Sequence, residues 1–267
     1  MCTAIVGLGP DGTVLLAGIR DEFLQRAWLP PAHLWPDYPA LIGGRDQRAG
    51  GTWLAVDPAA PRVACILNGR GHPAPPDIRQ SRGELPLRAA AREPIVPATS
   101  ASTPRPVDPT IDPSGLTVFD PFLLVVATPG RADLLSWDGD RFTRRTLDPG
   151  LHLLVNSGLA GDLRPDAGEH ETERIRHFQA RLAAVPFPQP KPGDTVDAAW
   201  SPWLPLFNGD GLPTGDPRAL IVRRDFGDGQ IWGTTSISLV AFTPAGLRYD
   251  FTAHPGDPAA WYPVPLG

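Results

Sequence analysis

CTAIVGLGPDGTVLLAGIRDEF, residues 2–23, is the stretch on which the fold turns. Thr3 to Leu8 reads as a buried strand, Pro10-Asp11-Gly12 is turn chemistry, and Thr13 to Ile19 returns as a second strand. The chain therefore opens with a β-hairpin. The same letters, Gly7-Leu-Gly9-Pro-Asp-Gly12, match G-x-G-x-x-G. A dinucleotide fingerprint needs a helix after its glycines, and here a proline and a strand follow, which excludes that reading. The hairpin also brings its two open ends together: Cys2 at one, and Arg20, Asp21 and Glu22 at the other.

Strand patterns continue outward from it. Residues 51–56 and 62–67 form a second pair across a turn at 57–61, after a stretch at 43–50 that reads as a polar loop. Further strands are predicted at 121–128, 132–137, 141–147, 150–155, 219–224, 231–242 and 247–253. Helices are predicted at 81–92, where Glu84 follows Ser81 by three, and at 168–185, where Ile175, Phe178, Leu182 and Val185 share a face. Proline-rich segments near 93–113 and 186–217 read as surface loops, with Trp28, Trp35, Trp200 and Trp203 as caps over the core or walls of a pocket. No linker divides the 267 residues, so residues 1–267 read as a single domain, strand-dominated and of the α+β class.

Composition narrows the function. A net charge of −5 without a basic cluster argues against a nucleic-acid partner. No apolar run is long enough to insert into a membrane, and no basic, apolar leader marks a secretory signal. The two cysteines, Cys2 and Cys65, suggest neither a disulfide framework nor a zinc site, and the expectation is a cytoplasmic protein with free thiols. Of the six histidines only His170 and His177 share a helix face, two turns apart, too far for one metal.

Two readings of Cys2 stand on the residues alone. It is either a small hydrophobe opening a strand or, once Met1 is removed, an N-terminal nucleophile with its own α-amine as base. In the second reading Arg20 stabilises the thiolate and Asp21 holds the ammonium form. Asn68 and Asn156, each closing a strand, supply oxyanion donors if those strands adjoin the hairpin; otherwise both are turn residues before glycine-containing loops.

The ordered set Met1-Cys2, Ile19-Arg20-Asp21-Glu22, Gly50-Gly51-Thr52-Trp53-Leu54, Leu67-Asn68, Ser81-Arg82-Gly83-Glu84-Leu85, Asp120-Pro121-Phe122, Leu154-Val155-Asn156-Ser157 and Gly233-Thr234 resembles the transport and Golgi organisation protein 2 family, also called the NRDE proteins. That resemblance implies a four-layer αββα sandwich of two antiparallel sheets, like the N-terminal-nucleophile hydrolases. It implies Cys2 as nucleophile, Arg20 and Asp21 as polar partners, and Asn68 and Asn156 as oxyanion-side amides. The expected activity is hydrolysis of a small-molecule amide with no cofactor. The family is also linked to moving haem and to lipid or acyl-CoA homeostasis, which gives an alternative: a non-enzymatic handler of haem or an acyl-CoA-like ligand in the same cleft, with Cys2 or a histidine on the iron. Two positions depart from the family pattern. Ile19 replaces the motif's asparagine, and Thr235 stands where many relatives carry an arginine.

Overall fold

The computed structural model describes residues 2–95 and 113–267. The opening hairpin is β1 (Thr3–Leu8) and β2 (Val14–Phe23), with Leu8 opposite Val14 and the turn closed by Gly9 N–H donating to Thr13 O at 2.8 Å. Four strands follow: β3 (Trp28–Ala32), β4 (Ile42–Asp46), β5 (Leu54–Asp57) and β6 (Arg62–Asn68). A 3₁₀ turn at Arg82–Glu84 leads into α1 (Leu85–Ala90). Next come β7 (Phe122–Thr128), β8 (Arg131–Trp137), β9 (Phe142–Thr146), β10 (Gly150–Val155), β11 (Gly158–Leu159) and β12 (Asp162–Leu163). The helices α2 (Glu169–Ala183), α3 (Val196–Trp200) and α4 (Leu204–Phe207) precede β13 (Arg223–Asp225), β14 (Ile231–Thr243), β15 (Gly246–Thr252) and β16 (Tyr262–Pro263).

These strands build two antiparallel sheets. The hairpin sheet runs β12-β11-β10-β1-β2-β14-β15-β16 with β13 beside β14, and the second sheet runs β3 to β9 in sequence order. Alternation along each strand divides its residues between two cores. Ala4, Val6, Leu8, Val14 and Leu16 face the second sheet and meet Leu54, Val63, Cys65, Leu67 and Val125 there. Ile5, Leu15, Ala17 and Ile19 face the other way, under Ile175, Phe178 and Leu182 of α2 and under α3 and α4. On the far side of the second sheet, Ala64, Leu124 and Leu135 pack against Leu85, Leu87 and Ala90 of α1. The order is helix, sheet, sheet, helix. Both central sheets are covered on both faces, which is why β1 and the first eight residues of β2 are buried without interruption. Among the described residues no helix is long and apolar enough to cross a membrane.

Several sequence expectations need correction. The stretch 43–50 is not all loop: Ile42–Asp46 is β4. Its glycines serve close approach, because a Cβ on Gly43 would lie 2.4 Å from Leu54 O and one on Gly44 would lie 2.3 Å from the Trp53 ring. The strand expected at 51–56 begins only at Leu54, and of 219–224 only the end is strand. Segment 186–217 is not merely a surface loop. It contains α3 and α4, and Trp200 and Trp203 are core residues at 1% exposure. The Trp200 indole N–H donates to Asp250 Oδ2 at 2.7 Å, satisfying its polar atom inside that core. Ser81 caps its turn through Gly83 N–H, while Glu84 pairs with Arg88 instead of closing a capping box. The loop expected at 93–113 falls mostly outside the described residues.

Candidate active site

Cys2 immediately precedes β1, half-buried at the edge of the core between the sheets. On one side lies β10, whose Val155 is opposite Thr3, and that register sets Asn156 beside Cys2. The Cys2 N–H donates to Asn156 Oδ1 at 2.9 Å. On the other side lies β2, and the thiol donates to Asp21 O at 3.8 Å. Asn156 is held from behind. Ser157 N–H donates to Glu171 Oε1 at 3.2 Å, and the fully buried Glu171 carboxylate also accepts from Gly168 N–H and from Arg70 at 2.7 Å.

The strand β2 does not stop at Ile19 but runs on through the charged residues, and alternation then separates Arg20 from Asp21. Arg20 turns to the inner face. It donates to Thr235 Oγ1 at 2.9 Å and to Asp46 Oδ2 at 3.2 Å, and its guanidinium lies 4.6 Å from the Trp53 ring centroid. Asp21 turns outward, beneath α2. Its carboxylate accepts from Thr234 Oγ1 at 2.7 Å and faces Arg174 Nη1 at 3.5 Å, and Arg174 also donates to Thr3 Oγ1 at 2.8 Å. A register shift between Thr234 and Ser236 directs Thr234 to one face and Thr235 to the other. The sequence reading set both charged residues beside the thiol. In the fold Arg20 shares the inner face with the thiol and acts on it through its charge, while Asp21 bonds it through its main-chain oxygen.

The two departures from the family pattern take on different meanings here. Ile19 packs in the outer core at 2% exposure, so the missing amide is lost from the side away from Arg20. Thr235 accepts from the Arg20 guanidinium and donates to Arg20 O at 3.2 Å. Arg20 is thus anchored by Thr235.

Asn68 sits exposed at the end of β6, opposite Phe122, and so shares the outer face on which the Phe122 ring is buried. Its side chain is not brought to Cys2. Gly69 N–H donates to Pro121 O at 2.8 Å, so the antiparallel alternation turns the Asn68 N–H away from β7, toward the side where β5 has ended.

Burial pushes the Cys2 thiol above its ordinary value, and the Asp21 charge adds to that, while Arg20 pulls the other way. Arg20 thus acts in the expected direction, and burial outweighs it. Burial also pushes Cys65 far up. Arg82 is a neighbour that sequence reasoning missed: burial lowers its pKa, and the charges of Asp120 and Cys2 oppose that. Its 3₁₀ turn docks on Gly51-Thr52 through Thr52 N–H donating to Gly83 O at 2.8 Å. The signal was the glycine pair Gly51 and Gly83, since a Cβ on Gly51 would lie 2.3 Å from Gly83 C. Asp46 and Arg174 were unmarked in the sequence, and Trp53 stood only as one letter of the Gly50-to-Leu54 motif.

A cleft of about 260 Å³ opens beside Asn156, between the β10–β11 corner and the β8–β9 edge. Arg70, Arg141, Arg145 and Arg164 line it, with Asp138 and Asp162 opposing them. Among the described residues no hydrogen bond or ion pair engages the guanidinium of Arg141 or Arg145. Nor do three or more histidine, cysteine or acidic side chains converge as a metal site there. His177 instead bonds Asp210 at 2.7 Å.

Residues 1–187 match the model of the family described as Transport and Golgi organisation 2. The chain belongs to that family. The matched region contains Cys2, Arg20, Asp21, Asn68 and Asn156, and ends before Thr234 and Thr235. Among curated proteins none matches the chain by sequence. Solved structures that resemble it in fold include penicillin V acylase from Agrobacterium tumefaciens, with a TM-score of 0.44 and 12% identity over 94% of this chain and 83% of that one.

Proposed function

We propose that this member of the Transport and Golgi organisation 2 family is a cysteine hydrolase of small-molecule amides, working through Cys2 after loss of Met1. The observation that carries the reading is the pair of contacts made by Cys2 alone: its nitrogen to Asn156 Oδ1 and its thiol to the adjacent strand. Once Met1 is gone, that nitrogen is an α-amine, a group that titrates at about 7.7–8.0. A thiol beside its own α-amine can give its proton to that amine as Sγ attacks.

In this mechanism Sγ adds to the amide carbon while its proton passes to the Cys2 amine. Asn156, whose Oδ1 faces that nitrogen, presents its Nδ2 to the oxyanion, with the Asn68 N–H as the second donor. Collapse breaks the C–N bond, and the departing amine takes the proton from the Cys2 ammonium. Water then cleaves the thioester, returning the thiol and releasing a carboxylic acid. The unengaged Arg141 and Arg145 in the adjoining cleft favour substrates with a carboxylate or phosphate.

The same arginines favour the second reading, a non-enzymatic handler of an anionic haem or acyl-CoA-like ligand. Intact-mass measurement separates the two first. Retention of Met1 on the purified protein sinks the hydrolase, since the amine would not exist. With Met1 removed, a chloroacetamide probe should label Cys2 in preference to Cys65, and labelling should vanish in Cys2→Ala. A haem titration without a shift in the Soret band would count against the second reading.

A further inference from the structure

We propose that the outer face of the hairpin sheet carries a second ligand site, for a small aromatic carboxylate, on the opposite side of the sheet from Cys2. The residues form a row across three strands: Phe23 on β2 is opposite Trp232 on β14, and Trp232 is opposite Arg224 on β13. Side chains directly opposite share a face. Together with Arg174, Val222 and Phe226 they enclose a cavity of about 320 Å³. That is room for one small molecule, at the lower end of the range for ligand pockets.

The walls are aromatic and incompletely covered. Phe23 sets its edge on Trp232 with centroids 5.0 Å apart, Phe226 stands 6.2 Å from Phe23, and Phe226 is 65% exposed. At the inner end lies Arg174, 1% exposed and nearly filled with partners: Nε donates to Ala219 O at 2.9 Å, and Nη1 faces Thr3 and Asp21. Its Nη2 is buried and, among the described residues, has no partner. An unsatisfied buried donor of this kind is rare and marks a place for an acceptor. Arg224 adds a second guanidinium that no described hydrogen bond or ion pair occupies. Two cationic donors and three rings lining one cavity select a planar apolar body bearing a carboxylate.

Titration calorimetry of the whole protein with 1-naphthylacetate tests this, with 1-naphthaleneethanol as the uncharged partner probe. Saturable one-to-one binding is expected below about 1 mM, with the alcohol about tenfold weaker for want of the charge-assisted bond. Arg224→Gln and Phe226→Ala, both at the surface, should each weaken the acid about fivefold or more while leaving thermal unfolding unchanged. Arg145→Gln, in the cleft beside Asn156, should leave its affinity unchanged. Equal affinity for acid and alcohol, no saturation, or loss of binding in Arg145→Gln with none in Arg224→Gln would overturn the proposal. The outcome is independent of whether Cys2 is a nucleophile, because Arg224 and Phe226 line the cavity on the opposite face of the sheet and Arg145 serves only as the control in the other cleft.

Discussion

The two faces of the hairpin sheet at the open end of β1 and β2 hold two ion pairs built from adjacent residues. On the inner face Arg20 shares Asp46 with Arg26, which reaches the same oxygen at 2.6 Å, and Arg48 N–H and Ala49 N–H bond its other oxygen. On the outer face, among the described residues, Asp21 faces one side-chain cation at ion-pair distance, Arg174, and both are almost fully buried. Both pairs are buried, but Asp46 of the inner pair has a second cation, Arg26, that Asp21 of the outer pair lacks among the described residues. Burial raises the Asp21 pKa despite Arg174 and Thr234, whereas Arg26, the backbone donors and Arg20 outweigh burial and hold Asp46 below the usual carboxylate value.

Breaking the outer pair should have the largest effect. Arg174→Leu leaves the Asp21 charge buried without its cation and should cost about 3–5 kcal/mol in urea unfolding, with part of the loss recovered in Arg174→Leu combined with Asp21→Asn. A cost below about 1 kcal/mol would mean that the outer pair is no more committed than the inner one. Arg20→Gln should cost about 1.5–3 kcal/mol, because Asp46 keeps its other partners. It should also slow alkylation of Cys2 at pH 8, since Arg20 is a group that pulls the thiol down.

The two carboxylates should also answer pH with opposite sign. A raised Asp21 binds more protons folded than unfolded above about pH 3.9, so its contribution to stability falls as pH rises through that window. A lowered Asp46 contributes stability at neutral pH that is lost as pH drops through its folded value. The destabilisation caused by Asp21→Asn should therefore shrink as pH rises from about 4, and that of Asp46→Asn should shrink as pH falls below about 4, each by no more than about 1.4 kcal/mol per pH unit. Parallel slopes would contradict the distinction. The smallest effect belongs to Thr235→Val, which removes the hydroxyl between β14 and Arg20 and should cost about 0.5–1.5 kcal/mol.

Much of this was legible in the chain. The hairpin, the strand series from Phe122 to Val155, and the helix bearing Ile175, Phe178 and Leu182 follow from local periodicity and turn chemistry, whereas Asn156 reaches Cys2 only because β10 pairs with β1. Ile42–Asp46 was hidden because glycine reads as loop when it in fact admits a neighbouring backbone and ring. Trp200 and Trp203 were hidden because proline-rich surroundings say nothing about what a short helix lies against.

By itself the sequence determined which residues enter the hairpin and which of them carry charge, since both are properties of a few consecutive side chains. Tertiary structure alone decided which face each charge took. Alternation assigns Arg20 and Asp21 to opposite sides, but only the packing of β4 and Trp53 below and of α2 above makes one side a thiol's surroundings and the other a buried ion pair. Those partners lie 26 and 153 residues away along the chain. No local pattern encodes such distances.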